Sequence, residues 1–271
     1  MATLPITFLS DYGYADEFAG VCRAVIVRIA PYAAVIDLTH GIPRHAIEVG
    51  AAVLANALPF APPGVHLAVI DPEVGTSRRG VAVRVATDDR VLVGPDNGLL
   101  WPAIESLGGA AAAVDVSLSP FRLEPISATF HGRDVFAPVA ANLALGAALA
   151  EAGEEIDVAS LARLRPSAPS ITAGGVATHV VLIDRYGNLT LDLDDHRLPE
   201  TGLRLGRQLT VNSGGAVHEA VFTPTFADVD PGALILYEDS YRHLALAVNR
   251  GSAAEVLNLG LGDEVTLRPG D

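Results

Sequence analysis

The feature that most constrains the fold is a change of texture near residue 165. Before it, short β-rich runs alternate with helical stretches. Pro5 to Leu9 reads as a strand, Asp16 to Ile29 as a helix, Ala34 to Leu38 as a strand, Ala46 to Ala57 as a helix and Val65 to Ile70 as a buried strand. Val81 to Ala86 and Arg90 to Val93 read as a hairpin about Asp88-Asp89, followed by a helix over Trp101 to Leu107 and a long Ala-rich helix from Val135 to Ala152. That order specifies an α/β layer on a central sheet. After the change, Thr178 to Ile183 and Leu189 to Leu193 form alternating strands joined at Arg185 to Asn188. Short strands follow at 208–211, 216–222, 233–237, 244–248 and 264–267. With almost no helix signal, this part is an all-β barrel or sandwich of about 100 residues. The Pro, Ser and Gly density of 164–175 marks a linker. The expected division is an α/β domain over 1–165, a linker over 166–175 and a β domain over 176–271.

Composition narrows the chemistry. All 18 basic residues are Arg, against 32 acidic ones, for a net charge of −14. Without Lys there is no Schiff base, no Lys-anchored pyridoxal phosphate and no phosphate loop ending in Lys. Cys22 is alone, so neither an intrachain disulfide nor a Cys-rich zinc site is expected, and a cytoplasmic location follows as the default. The acidity argues against a nucleic-acid partner. Half the residues are hydrophobic. The longest apolar stretch, from Val135 to Ala150, is broken by Pro138 and Asn142 and is shorter than the roughly 20 residues a membrane span requires. No basic segment precedes the first apolar run, so no signal peptide is expected.

In α/β sheets, ligands sit beyond the carboxyl ends of the strands. Three polar segments occupy such places or precede a helix: Ser10-Asp11-Tyr12-Gly13, Asp71 through Arg79, and Thr129-Phe130-His131-Gly132-Arg133-Asp134. Asp71 could act with His131 while Arg78 lowers the carboxyl pKa by about one to three pH units. The alternative is structural: a turn at Asp71-Pro72, a surface Arg78, and a helix cap from His131 and Asp134. His40 and His45 do not share a helix face, so they read as a solvent-facing loop rather than a metal pair. Asp184 to Asn188 is a tight turn presenting a ring and an amide together, which could also read a purine.

Seven segments in order carry a resemblance. They are Ser10 to Gly13 with Asp16, Asp37 to Pro43, Asp71 to Arg79, Gly94 to Gly98, Thr129 to Pro138, Asp184 to Asn188, and Asn249 to Ala254. Together they resemble the adenosine-forming S-adenosyl-L-methionine hydrolases, the hydroxide adenosyltransferases related to bacterial fluorinase and chlorinase. The resemblance implies an α/β domain, a C-terminal β-barrel, and a homotrimer with sites between the N-domain of one subunit and the C-domain of its neighbour. It assigns Asp71, Arg78 and His131 to water activation and Asp11 to the ribose. Asp184 and Ser240 fall at the methionine end, and Tyr186, Asn188, Phe226 and the backbone of Asn249 and Arg250 at the adenine. Thr129 and Phe130 line the same pocket. The substrate is S-adenosyl-L-methionine itself; no cofactor, metal, nucleic acid or membrane is implied.

Two competing readings remain. The resemblance implies that the halide-using relatives carry Tyr at the places of Asp71 and His131, and that fluorinase has Ser at the place of Gly132; a carboxylate at 71 would repel a halide. A sensor that binds S-adenosylmethionine without cleaving it would keep Asp11, Tyr186 and Asn188 but would not need the Asp71, Arg78 and His131 trio. Tyr241 stands where fluorinase has Arg, which leaves the grip on the methionine carboxylate unassigned.

Overall fold

A computed structural model of the chain describes residues 3–270 apart from 165, 166 and 173. Contacts divide it into two compact units, 1–164 and 165–271.

The first unit is built on a seven-stranded mixed sheet. Its strands are β1 (Ile6–Ser10), β2 (Val35–Thr39), β3 (Val65–Val69), β4 (Gly80–Val85), β5 (Val91–Pro95), β6 (Ala110–Asp115) and β7 (Glu154–Ile156), in the spatial order β2-β1-β3-β5-β4-β6-β7. β2, β1, β3 and β5 run parallel. The remaining pairs are antiparallel, including the expected β4–β5 hairpin. β1 and β3 are buried along their whole length, as a parallel strand covered on both faces must be. Side-chain alternation divides them between two cores. Ile6, Phe8, Val65, Leu67 and Val69 pack with α1 (Phe18–Ile29) on one face. Leu9, Ala68 and Ile70 pack with α2 (Ile47–Ala57) and α3 (Trp101–Ser106) on the other.

The long helix expected over Val135 to Ala152 is three pieces. A π-helical turn covers Gly132–Phe136, α4 covers Ala137–Ala144, and α5 covers Leu149–Ala152. The interruption falls at Gly146, whose φ of 97° turns the chain out of the helix. The π turn keeps Asp134 buried against Arg133, which donates to it through Nε and Nη2 at 2.6 and 2.8 Å. π turns commonly mark functional positions in helices.

The second unit is a closed barrel. β8 (Ser170–Thr172), β9 (Gly175–Ile183), β10 (Leu189–Asp194), β11 (Gln208–Ser213), β12 (Ala216–Phe222), β13 (Leu234–Glu238), β14 (His243–Val248) and β15 (Glu264–Pro269) form it. The order β10-β14-β13-β12-β11-β15-β9 closes through a β9–β10 pairing, with β8 added on β9. Closure removes the unpaired edges that an open sheet of short strands would expose. β8 lies within the stretch read as a linker, of which positions 166 and 173 lie outside the described residues. One short helix, α6 (Ala253–Leu257), interrupts the strands; Ser252 caps it by accepting from Glu255 N at 3.2 Å.

Candidate active site

Asp71 stands just past the end of β3, and the loop it opens returns Arg78 onto it. Arg78 Nε donates to Asp71 Oδ1 at 3.0 Å, and Nη2 donates to Oδ2. The two side chains are only 4% and 7% exposed, so this pair is no surface charge. The same Nη2 donates to Nδ1 of His131 at 3.3 Å. A guanidinium has donors only, so Nδ1 presents its lone pair and the neutral ring carries its proton on Nε2. The sequence segments at 71–79 and 127–134 meet at Gly75. Its φ is 83°, and a Cβ there would lie 2.5 Å from the Ala128 carbonyl oxygen.

The electrostatics differ in one respect from expectation. Burial raises the Asp71 carboxyl above its ordinary value, and the pull of Arg78 in the opposite direction does not overcome it. The result is a carboxylate more basic than an exposed one. Burial, then the Arg78 charge, lowers His131, which agrees with a ring that takes a hydrogen bond from a cation.

Asp71 and His131 open onto a cleft of ≈ 1070 Å³ within the first unit. Asp11, at the end of β1, lines the same cleft, as do Thr129 and Phe130. Asp11 Oδ2 accepts the backbone N–H of His45 at 2.9 Å, and His45 adopts a left-handed φ of 65° to present it. Thr129 is tied through its N–H to Ser127 Oγ at 3.3 Å. Phe130 packs edge-on against Tyr12 and Phe18 and lies under the Arg133 guanidinium. The loops after two parallel strands and the segment leading into the π turn thus bring six of the expected residues together.

His40 does not lie in a solvent-facing loop. It is 1% exposed, its Nδ1 is 2.7 Å from Ser10 Oγ, and its Nε2 is 3.3 Å from Asp37 Oδ1. Ser10 Oγ in turn accepts Tyr12 N, and the His40 carbonyl accepts Gly13 N at 2.7 Å, so this buried histidine braces the loop carrying Asp11. Ser10 is itself fully buried, so its hydroxyl is not presented to a substrate. Spacing along the chain carried no sign of it, because β1 and β2 are brought side by side only by the sheet.

In the second unit, the expected residues occupy turns and a strand-flanking helix. Asp184 Oδ1 accepts Tyr186 N and Asn188 N, and Asn188 Nδ2 donates to Oδ2 at 2.7 Å, which fixes the β9–β10 turn. Ala254 N donates to Gly187 O, which brings that turn to the segment following Asn249 and Arg250. Asn249 N donates to Ala233 O, its carbonyl accepts Gly232 N, and Arg250 has a φ of 59°. The Asn249 amide is therefore already committed to the barrel. Ser240 sits in the β13–β14 turn, where Asp239 Oδ1 accepts Tyr241 N and His243 N. Phe226 packs against Tyr237 with ring centroids 5.2 Å apart and the planes tilted by 53°, and sequence alone gave Tyr237 no role. Burial, with Asp184 and Asp239 nearby, pushes the Tyr237 hydroxyl up to about 12. Among the described residues no three His, Cys, Asp or Glu side chains converge as metal ligands, and no helix is long and apolar enough to cross a membrane.

Comparison with known proteins places this geometry. Residues 6–153 match the model for the SAM hydroxide adenosyltransferase N-terminal domain, and residues 178–266 that for the C-terminal domain. The chain is 45% identical to (R)-S-adenosyl-L-methionine hydrolase of Salinispora tropica, with 100% of both chains covered. It is 29% identical to fluorinase of an Actinoplanes species, over 97% of this chain and 96% of that one. An uncharacterised conserved protein from Thermotoga maritima superposes with a TM-score of 0.91 at 34% identity, over 97% of this chain and 99% of that one.

Proposed function

The chain belongs to the SAM hydroxide adenosyltransferase family, and from that premise we propose that it hydrolyses S-adenosyl-L-methionine at the ribose C5′ to adenosine and L-methionine. The observation that carries the reading is the buried Asp71–Arg78 pair with His131 at the wall of a cleft that also holds Asp11. The cleft is large enough for a nucleoside.

A sulfonium leaves as a neutral thioether and needs no general acid. What the site must supply is a water placed in line with C5′ and a base for its proton. In this reading the water oxygen bonds to C5′ as the C5′–S bond breaks with its electron pair passing to sulfur, and the water proton goes to Asp71. Burial favours that transfer by raising the carboxyl's basicity. Arg78 holds both carboxylate oxygens in place and, having only donors, orients the His131 ring. Asp11 accepts both ribose hydroxyls, a chelation its two oxygens suit. Thr129 and Phe130 line the sugar side. A buried carboxylate beside the nucleophile supports water over a halide, since an anion entering there meets like charge.

The same reading assigns Asp184 and Ser240 to the methionine end, and Tyr186, Asn188, Phe226, Asn249 and Arg250 to the adenine. These contacts come from the C-terminal domain of a neighbouring copy in a cytoplasmic homotrimer that uses no cofactor or metal and binds neither nucleic acid nor membrane. The test is incubation with each sulfonium epimer of S-adenosylmethionine separately, since the Salinispora relative's name specifies (R). Products are then separated by chromatography and the particle mass measured in solution. Adenosine and methionine in equal amounts, without added halide and lost by about 10²- to 10⁴-fold in Asp71→Asn, are the expected result. A halogenated nucleoside formed only with chloride or bromide overturns the reading, as does tight binding with no release.

A further inference from the structure

One polar group in the cleft has no part in the reaction as derived so far. Tyr12 follows Asp11 directly, and its ring is wedged edge-on between Phe8 and Phe130, at 6.5 and 5.9 Å, with Phe18 at 6.1 Å. The wedge fixes where its hydroxyl falls. A Cβ built on Gly132 would lie 2.0 Å from the Tyr12 oxygen and 3.1 Å from the ring carbon bearing it, so the hydroxyl occupies the space beside the residue that follows His131. Asp11 and Asp71 both act on this phenol electrostatically, as does Arg78. Tyr12 lines the same cleft as the sugar-binding Asp11, the proton-accepting Asp71 and His131. Burial first, then Cys22 and those two carboxylates, keep the phenol protonated well above its ordinary range, so it offers a donor at every working pH. Among the described residues, none takes a hydrogen bond from it.

Resting on the hydrolase reading, we propose that Tyr12 is a further catalytic residue, its hydroxyl donating to the oxygen of the attacking water while Asp71 accepts that water's proton, and that this hydroxyl is the reason position 132 is glycine. A water held by one donor and one acceptor has a lone pair left in a defined direction, which is what an in-line attack needs. A side chain at 132 would displace the donor, and the water with it.

The experiment is a double-mutant cycle on Tyr12→Phe and Gly132→Ala, with kcat and KM for S-adenosylmethionine and Trp101 fluorescence as the fold control. Tyr12→Phe keeps the ring and removes only the hydroxyl. It is expected to lower kcat by about 10- to 100-fold with KM within about twofold. Gly132→Ala, which leaves Tyr12 in place but pushes its oxygen aside, is expected to cause a similar loss. In the Tyr12→Phe background the alanine should cost less than about threefold more, because both changes remove one interaction. An unchanged kcat in Tyr12→Phe, or losses that multiply, overturns the proposal. The wild-type rate alone decides the hydrolase reading: no adenosine from the wild type sinks that reading, whereas an active wild type with an equally active Tyr12→Phe sinks only the role of Tyr12.

Discussion

Acid should loosen the N-terminal domain through one histidine that takes no part in the chemistry. His66, in the middle of β3, is 0% exposed. Its Nδ1 is 2.9 Å from Thr7 Oγ on β1, and its Nε2 is buried without a partner among the described residues. Burial, with the Arg90 charge adding to it, lowers its pKa from 6.5 to about 4. The unfolded chain then takes up a proton below pH 6.5 that the folded chain refuses until about pH 4. Stability from this source is therefore complete above pH 6.5 and is lost as the pH falls towards 4. At ~1.4 kcal/mol per pH unit the whole loss is about 3 kcal/mol, of which about 2 kcal/mol is gone by about pH 5. Trp101 is the only tryptophan and lies in the first unit, so its fluorescence in urea reports that unit alone. Carboxylates titrate over the same range, so the informative quantity is the difference between the wild type and His66→Gln, which cannot take up this proton. At one protein concentration, the wild type should lose about 2 kcal/mol more than the variant between about pH 7.5 and about pH 5. Equal losses in the two proteins would refute the reasoning.

Three other outcomes follow from the site. Removing the guanidinium in Arg78→Met leaves burial unopposed, so the acid limb of the kcat profile, which reports Asp71 ionising, should move to higher pH; a limb that stays put or moves down contradicts the pairing. Asp11→Ala should raise KM for S-adenosylmethionine by about 10- to 100-fold through lost charged hydrogen bonds, measured by initial rates against substrate concentration. Gly75→Ala should destabilise the fold by about 1–2 kcal/mol for the left-handed backbone alone. Because its Cβ would press on Ala128 O, its kcat should fall more than its KM rises, and a purely thermal effect would argue that the seam does not align the trio.

Asp71, Arg78 and His131 stand out in the sequence because each lies in a short polar segment at a strand end or before a helix, but chain order left a turn, a surface charge and a helix cap also open, and only the family resemblance supplied their roles. His40 could not. Its five-residue separation from His45 excludes a shared helix face and says nothing of Ser10, which lies thirty positions away and becomes a neighbour only through the β1–β2 pairing. The alanine run after Val135 carried a helical signal strong enough to mask Gly146, whose backbone freedom decides the break. The balance at Asp71 was likewise out of reach, since the arginine is visible in the chain but the degree of burial is not. Tyr12 lies within a sequence motif, yet its bearing on Gly132 is a contact between residues one hundred and twenty positions apart.

The orientation of His131 sets how protons travel. Its Nδ1 faces a group that can only donate, and its Nε2 already carries hydrogen when the ring is neutral. Arg78 itself holds its charge permanently. Under the proposed hydrolase reading, a proton captured by Asp71 has no onward carrier within the trio and must return to solvent by way of the cleft. On that reading, recharging the base is tied to emptying the site, and an enzyme caught between turnovers would hold a neutral Asp71 until the proposed product, adenosine, makes room for water.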